Sequence, residues 1–327
     1  MNNKYQNKRI FVHQEIRKNQ LKTFFLIFIF VAIIFILSVA IGYYMNDVYS
    51  GIFIGVLVTV IVVPLNLLTS KFFIMMSTKG TPIDINNPKH IRAKNLVEGL
   101  AIAAGLNKTP EVYILPTKIP NAFAGGFSPK TAYIGVTEGL LDMMDDLELE
   151  GVIAHEMSHI AQYDVLISTV AVSLFSVAII LGDMLYRLAW FGRSGNNRRK
   201  DSNSSSSDSA NNNLGYIIFI VSVAAVILSW GVRLIGNLVN LSISRKREYA
   251  ADANAVRLCG YSNGLASALT KLANQSNNYK YTKKDIDELG GQNLIGLYIF
   301  NPTKAITNLF STHPPIEDRI AKLKVMY

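Results

Sequence analysis

Two long apolar runs open the chain. Residues 24–44 and 51–70 carry almost no charge, and only the short segment 45–50 separates them. A helix rises 1.5 Å per residue, so each run is about long enough for a bilayer core of about 30 Å. A cleaved leader has a shorter apolar core followed by a small-residue cleavage site, whereas here a second run follows directly. The pattern predicts a basic N-terminal segment, 1–22, and a transmembrane hairpin, 23–75. Pro64 predicts a kink in the second helix, which neighbouring helices tolerate in lipid. Two further runs, 165–181 and 214–231, lie at the short end of a membrane span. They predict either a second spanning pair or a helical pair packed on the rest of the chain. The Ser/Asn-rich stretch 192–213 between them has a linker composition.

From residue 88 the pattern becomes that of a globular domain. Helical spacing runs over 90–104 and stops at Gly105. Short strands are predicted at 111–115 and 131–136. Asp145-Asp146-Leu147-Glu148 resembles a capped helix start, for a helix over 146–163. A helix from about 244 ends near Cys259, with Gly260 as its stop. An amphipathic helix covers 262–276, residues 277–310 keep no clear period, and a last helix covers 316–324. No internal repeat is present. The predicted class is α+β and mostly α-helical: an integral membrane protein with about four hydrophobic helices and a domain containing a small β-sheet. That domain comes in two parts, 76–164 and 241–327, separated by the hydrophobic pair 165–240.

Composition supports a membrane location. Hydrophobic residues make up 50% of the 327 and charged residues 17%, too apolar for an ordinary soluble protein. The net charge of +9 is assigned to an anionic bilayer surface and not to nucleic acid, because many basic residues flank the apolar runs. Lys4, Lys8, Arg9, Arg17, Lys18 and Lys22 precede the first run, while the link 45–50 carries Asp47 and no basic residue. The positive-inside rule then places 1–22 and the chain just after Lys71 in the cytoplasm. The basic linker, with Arg193, Arg198, Arg199 and Lys200, pulls the other way if both later runs span. The single cysteine, Cys259, excludes an internal disulfide and reads as a small buried side chain. His13 and His90 lie in basic flanks and read as solvated surface residues.

The chemistry concentrates in His155-Glu156-Met157-Ser158-His159. On a helix, positions i and i+4 share a face, so the two imidazoles can grip one zinc ion. Glu156 then stands beside a metal-activated water as general base. A hydrolytic zinc site needs a third protein ligand. A third histidine downstream is excluded, because Gln162 and Val165 stand where that subclass needs Gly and His. Glu248 is the best candidate, at the start of a later helix with Asp252 four positions on and on the same face. Glu248 would bind zinc, and Asp252 would hold the outer nitrogen of a ligand histidine. His313, before two prolines, is either a structural residue or a donor to the developing oxyanion. The small-residue segment Asn121-Ala122-Phe123-Ala124-Gly125-Gly126 is either a turn between strands or an edge that pairs with an extended peptide substrate.

Taken in order, these motifs resemble those of a known family, the HtpX-type membrane-bound zinc metalloproteases, kin to the CAAX prenyl endopeptidases. The likeness spans the two N-terminal runs, Asn121 to Gly126, His155-Glu156-Met157-Ser158-His159, the interrupting apolar pair, Arg247-Glu248-Tyr249-Ala250-Ala251-Asp252 and Ser311-Thr312-His313-Pro314-Pro315. The resemblance implies a gluzincin (zincin-like) catalytic domain facing the bacterial cytoplasm. It implies one zinc ion on His155, His159 and Glu248, with Glu156 catalytic. Membrane proteins or unfolded polypeptides would be the substrates, in quality control of damaged membrane proteins under stress. A zinc transporter is disfavoured, since the runs hold almost no ionisable residue. An inactive scaffold needs no base at Glu156, and a CAAX-type endopeptidase needs more spans than the four candidates. Oligomeric state leaves no mark in the sequence.

Overall fold

The computed structural model describes residues 3–44, 46–174, 176, 245–279, 281–291, 294, 297–300 and 314–326. They fall into two compact units, one drawn from Phe24–Leu68 and Ser173–Asn237, the other from Met1–Thr23, Thr69–Val172 and Leu238–Tyr327.

The N-terminal apolar runs are helical. Helix α1 covers Asn3–Tyr44, α2 covers Val48–Leu57 and α3 covers Val63–Thr78, and their residues 24–68 belong to the first unit. Among the described residues two helical stretches are long and apolar enough to cross a membrane, Gln20–Ala40 and Val48–Thr78. Asp47 caps α2 by accepting from the Ser50 N–H at 3.0 Å. The two helices meet at glycines: a Cβ on Gly51 would lie 2.5 Å from the Ser38 carbonyl oxygen and 2.8 Å from Gly42 Cα. Such small-residue contacts are how apolar helices approach closely in lipid. Where Pro64 predicted a kink, a π turn, Val58–Val62, precedes it, and the Val63 N–H donates to the Val58 carbonyl five residues back. Pro64 has no N–H, and its ring would collide with the Val60 carbonyl in a regular helix. The wider turn relieves that conflict.

The second unit is built on a four-stranded mixed sheet in the order β1-β2-β4-β3. Strand β1 (Thr81–Pro82) runs antiparallel to β2 (Glu111–Leu115), and β2 runs parallel to β4 (Tyr133–Thr137). The edge strand β3 (Ala122–Gly125) is antiparallel to β4, with Ala124 opposite Ile134. Helix α4 (Pro88–Ala103) starts at the Asn87 cap with proline in its first turn. It ends as Gly105, at φ 70, lets the Leu106 N–H return to the Ala101 carbonyl. A short α5 (Glu138–Met143) leads to α6 (Asp146–Ala161), which opens with the full capping box of Asp145 and Glu148.

Helix α6 is the core of this unit. Leu149, Val152, Ile153, Ala154, Met157 and Ile160 are all fully buried, against the sheet on one side and later helices on the other. A short apolar helix α7 (Asp164–Leu174) follows. The chain is described again in α8 (Arg245–Cys259), α9 (Asn263–Asn278), α10 (Lys283–Glu288) and α11 (Ile316–Leu323). Helix α9 approaches α6 so closely that a Cβ on Gly151 would lie 2.6 Å from the Leu265 nitrogen. The Glu148 carboxylate ties the same pair, accepting from Ser267 Oγ and Lys271 Nζ, each at 2.6 Å.

Four expectations change. Helix α6 stops at Ala161, short of 163, because Tyr163 is left-handed at φ 60. His90 is not solvated: it is buried, its Nδ1 accepts from the Asp84 N–H at 3.2 Å, and its Nε2 lies 2.8 Å from a Glu138 oxygen. It pins the loop before α4 onto α5. The Cys259 side chain is half-buried, with its thiol 3.8 Å from the Glu150 carbonyl. Within the patternless 277–310, α10 forms and Leu297–Phe300 runs along β3, where Phe123 bridges Tyr298. Most of the two later apolar runs, the linker 192–213 and His313 lie outside the described residues, as does the side chain of His13.

Candidate metal centre

The helical spacing of α6 does what it promises. His155 and His159 lie one turn apart, with their Nε2 atoms 3.1 Å from each other. Helix α8 brings Glu248 to the same point, Oε2 3.6 Å from His155 Nε2 and Oε1 3.6 Å from His159 Nε2. All three potential ligand atoms fall within 4.8 Å of one another. Tetrahedral zinc with nitrogen and oxygen ligands at about 2.0–2.1 Å holds those atoms about 3.3–3.4 Å apart. Two imidazoles and one carboxylate at 3.1–3.6 Å therefore fit a zinc-sized dication with shifts of a few tenths of an ångström. The nitrogen and oxygen donor set also suits zinc.

Each histidine is gripped at its other nitrogen. His155 Nδ1 lies 3.0 Å from Asp252 Oδ1, the contact expected from the spacing of Glu248 and Asp252. His159 Nδ1 lies 3.2 Å from Asp164 Oδ2, just beyond the end of α6. A carboxylate that accepts the Nδ1 proton leaves the Nε2 lone pair free for a metal.

Each aspartate in turn meets an arginine, and sequence reasoning missed one of the two, Arg319. Arg319 of α11, 1% exposed, donates to Asp252 at 2.6 and 3.0 Å and comes within 4.0 Å of Glu248. Arg247 donates to Asp164 at 2.9 Å.

Glu156 is buried beside the cluster and accepts from the Ala124 backbone N–H of β3. Burial pushes its carboxyl up to about 8. Burial and the Arg319 charge push His155 down to about 4, so its ring is neutral. Burial also acts to lower His159, but the hydrogen bond to Asp164 and the charge of Glu248 outweigh it and raise the ring to about 9. Asp252 is held at about 2: burial raises it, and the Arg319 charge with the His155 hydrogen bond more than reverses that.

The candidate substrate edge lies next to this centre. Ala122, Phe123 and Ala124 belong to β3 and Asn121 precedes it; all four are buried. The edge is partly taken by the chain itself. The Ala122 carbonyl accepts from the Ile299 N–H at 2.9 Å, and the Asn121 amide both donates to the Phe300 carbonyl and accepts from its N–H.

Residues 89–326 match Peptidase family M48. The chain belongs to peptidase family M48. It is 39% identical over 316 residues to a protein named "Protease HtpX homolog" from Dictyoglomus thermophilum, covering 96% of this chain and 94% of the relative. It is 37% identical over 318 residues to the protein of the same name from Streptococcus uberis, covering 96% of this chain and all of the relative. Among solved structures, the crystal structure of S. mikatae Ste24p aligns over 95% of this chain and 66% of that one. Its identity of 18% and TM-score of 0.44 are too remote to bear on the site. As an M48 metallopeptidase the protein takes a metal ion and acts on peptide or protein substrates. The two long apolar helices accord with a membrane protein.

Proposed function

We propose that His155, His159 and Glu248 hold one zinc ion and that Glu156 is the general base and acid of a membrane-bound endopeptidase. The observation that carries this reading is the convergence of three ligand atoms within 4.8 Å beside the buried carboxylate of Glu156. When bound, zinc supplies Lewis acidity, lowering the pKa of a water towards about 7 and polarising the scissile carbonyl. Glu156 takes the proton of the attacking water and returns it to the leaving amine. A buried carboxyl beside the three ligand atoms is placed to move a proton both ways. Asp252 and Asp164 keep the proton of each imidazole on Nδ1. His313 is the proposed donor to the oxyanion.

The substrate pairs as an extended strand along Asn121, Ala122, Phe123 and Ala124. To do so it takes the place of Ile299 and Phe300 at that edge. The catalytic domain comprises 76–164 and 241–327 and faces the bacterial cytoplasm. It is anchored by the hairpin 23–75 and interrupted by the pair 165–240. Unfolded or damaged membrane proteins, cleared under stress, are the proposed substrates. Glu156→Gln tests the core of the reading: the purified variant should keep its zinc and lose proteolysis by several orders of magnitude. Near-parental turnover would refute it.

A further inference from the structure

We propose that Asp164 and Arg247 are positioning residues that assemble the metal centre. Asp164 orients His159, and Arg247 docks the start of α8 so that Glu248 reaches the same ion. The inference rests on the reading of His155, His159 and Glu248 as zinc ligands.

The geometry is a bridge. Asp164 presents one oxygen to His159 Nδ1 at 3.2 Å and the other to Arg247 at 2.9 Å. Both side chains are about nine-tenths buried. Arg247 immediately precedes Glu248, whose Oε1 lies 3.6 Å from His159 Nε2. The His159 ring therefore faces Asp164 on one side and Glu248 on the other, and the Asp164–Arg247 pair closes the ring of contacts. The backbone is bent to make this possible. Tyr163 is left-handed at φ 60, a conformation disfavoured for a residue with a Cβ, and that turn brings Asp164 back to His159.

The two bridging residues are 83 positions apart. Asp164 opens the apolar helix α7 and Arg247 lies in the first turn of α8, so they bracket the hydrophobic excursion of the chain. No periodicity within α8 aims Glu248 at α6. The ion pair does so, because it fixes the residue before Glu248 to the residue five after His159. Arginine suits the task better than lysine, since its planar fork sets direction as well as charge. The arrangement repeats that of His155, Asp252 and Arg319, giving each ligand histidine an aspartate backed by an arginine.

The test uses full-length protein in detergent, in a Glu156→Gln background that removes proteolysis on the proposed reading. Zinc affinity is measured by competition with a chelator for Asp164→Ala, Asp164→Asn, Arg247→Ala, Arg247→Lys and the double alanine variant. Glu248→Ala serves as the reference. Each single alanine variant should bind zinc roughly 10–100-fold more weakly. The double variant should be no weaker than the worse single, because the residues act as a unit. Asp164→Asn, which keeps the shape and an acceptor oxygen, and Arg247→Lys, which keeps the charge, should each recover part of the loss. With Glu156 restored, saturating zinc should return the activity of the Asp164 and Arg247 variants, which damage to the fold would not allow. Parental affinity in both alanine variants, or losses that simply multiply in the double, would overturn the inference while Glu248→Ala still loses zinc. If Glu248→Ala itself binds zinc as tightly as the parent, the underlying ligand set is wrong.

Discussion

Arg319→Leu removes a buried guanidinium that faces both Asp252 and Glu248. Asp252 sits at about 2, against an ordinary 3.8. Burial pushes it upward, and the Arg319 charge and the hydrogen bonds from His155 and Arg319 pull it below. That displacement corresponds to a few kcal/mol. That figure is already net of burial, so it understates what the partners supply. Deleting one member of a buried ion pair costs about 3–5 kcal/mol, since the other charge is left uncompensated. A loss of about 3 kcal/mol lowers the melting temperature of a unit this size by roughly 6–12 °C. The sign with pH follows from the direction of the shift. Asp252 is depressed in the folded state, so its contribution is present in full above about pH 4 and is lost as pH falls through about 2. In Arg319→Leu the carboxyl rises instead. The deficit relative to the parent should therefore be widest near pH 7.5 and narrow towards pH 3.

The assay is thermal unfolding of chelator-treated protein in a Glu156→Gln background at those two pH values. A second variant separates stability from ligand orientation. Arg319→Leu combined with Asp252→Leu removes both charges and should regain much of the lost stability. It should still bind zinc roughly 10–100-fold more weakly, because His155 Nδ1 has lost its acceptor. A melting temperature for Arg319→Leu within about 2 °C of the parent at pH 7.5 would refute the reasoning, as would a deficit that does not narrow in acid.

Zinc uptake by the apo protein at pH 7.5 should release at least one proton, since His159 at about 9 and Glu156 at about 8 hold protons that a dication displaces. Calorimetry in buffers of different ionisation enthalpy reads this directly, and a heat independent of buffer would count against it. Ile299→Pro removes the N–H that donates to Ala122. If β3 is the strand a substrate pairs with, KM for an unfolded protein should fall with kcat little changed, and an unaltered or higher KM would speak against that edge. In a Cys259→Ser background, a cysteine at Asn86 should resist labelling from outside intact cells, while one at Ser204 should react if the runs 165–181 and 214–231 both span and stay silent if neither does. External labelling at Asn86 would overturn the cytoplasmic placement.

What could be read in the sequence was what one element decides alone. His155, Glu156 and His159 share a face of a single helix, and Glu248 and Asp252 share a face of another, so spacing was enough to nominate them. His90 was misread because a basic flank says nothing about depth; the loop Asp84 to Asn87 and Glu138, from different elements, enclose it. The missed residues are those whose role exists only between elements. Asp164 has no periodic relation to His159, and only the left-handed turn at Tyr163 joins them. Arg319 did leave a signal. It lies between Ile316 and Leu323, both buried, on the apolar face of α11, where an arginine is out of place unless an acid waits for it. Asp252 was already named as a carboxylate on the face of Glu248, turned toward a ligand histidine. A basic residue on one apolar stripe and an acid on another, each costly when buried alone, are together a prediction of contact. By that argument α8 and α11 belong against each other, and their pairing sets His155 as firmly as the spacing of α6 does.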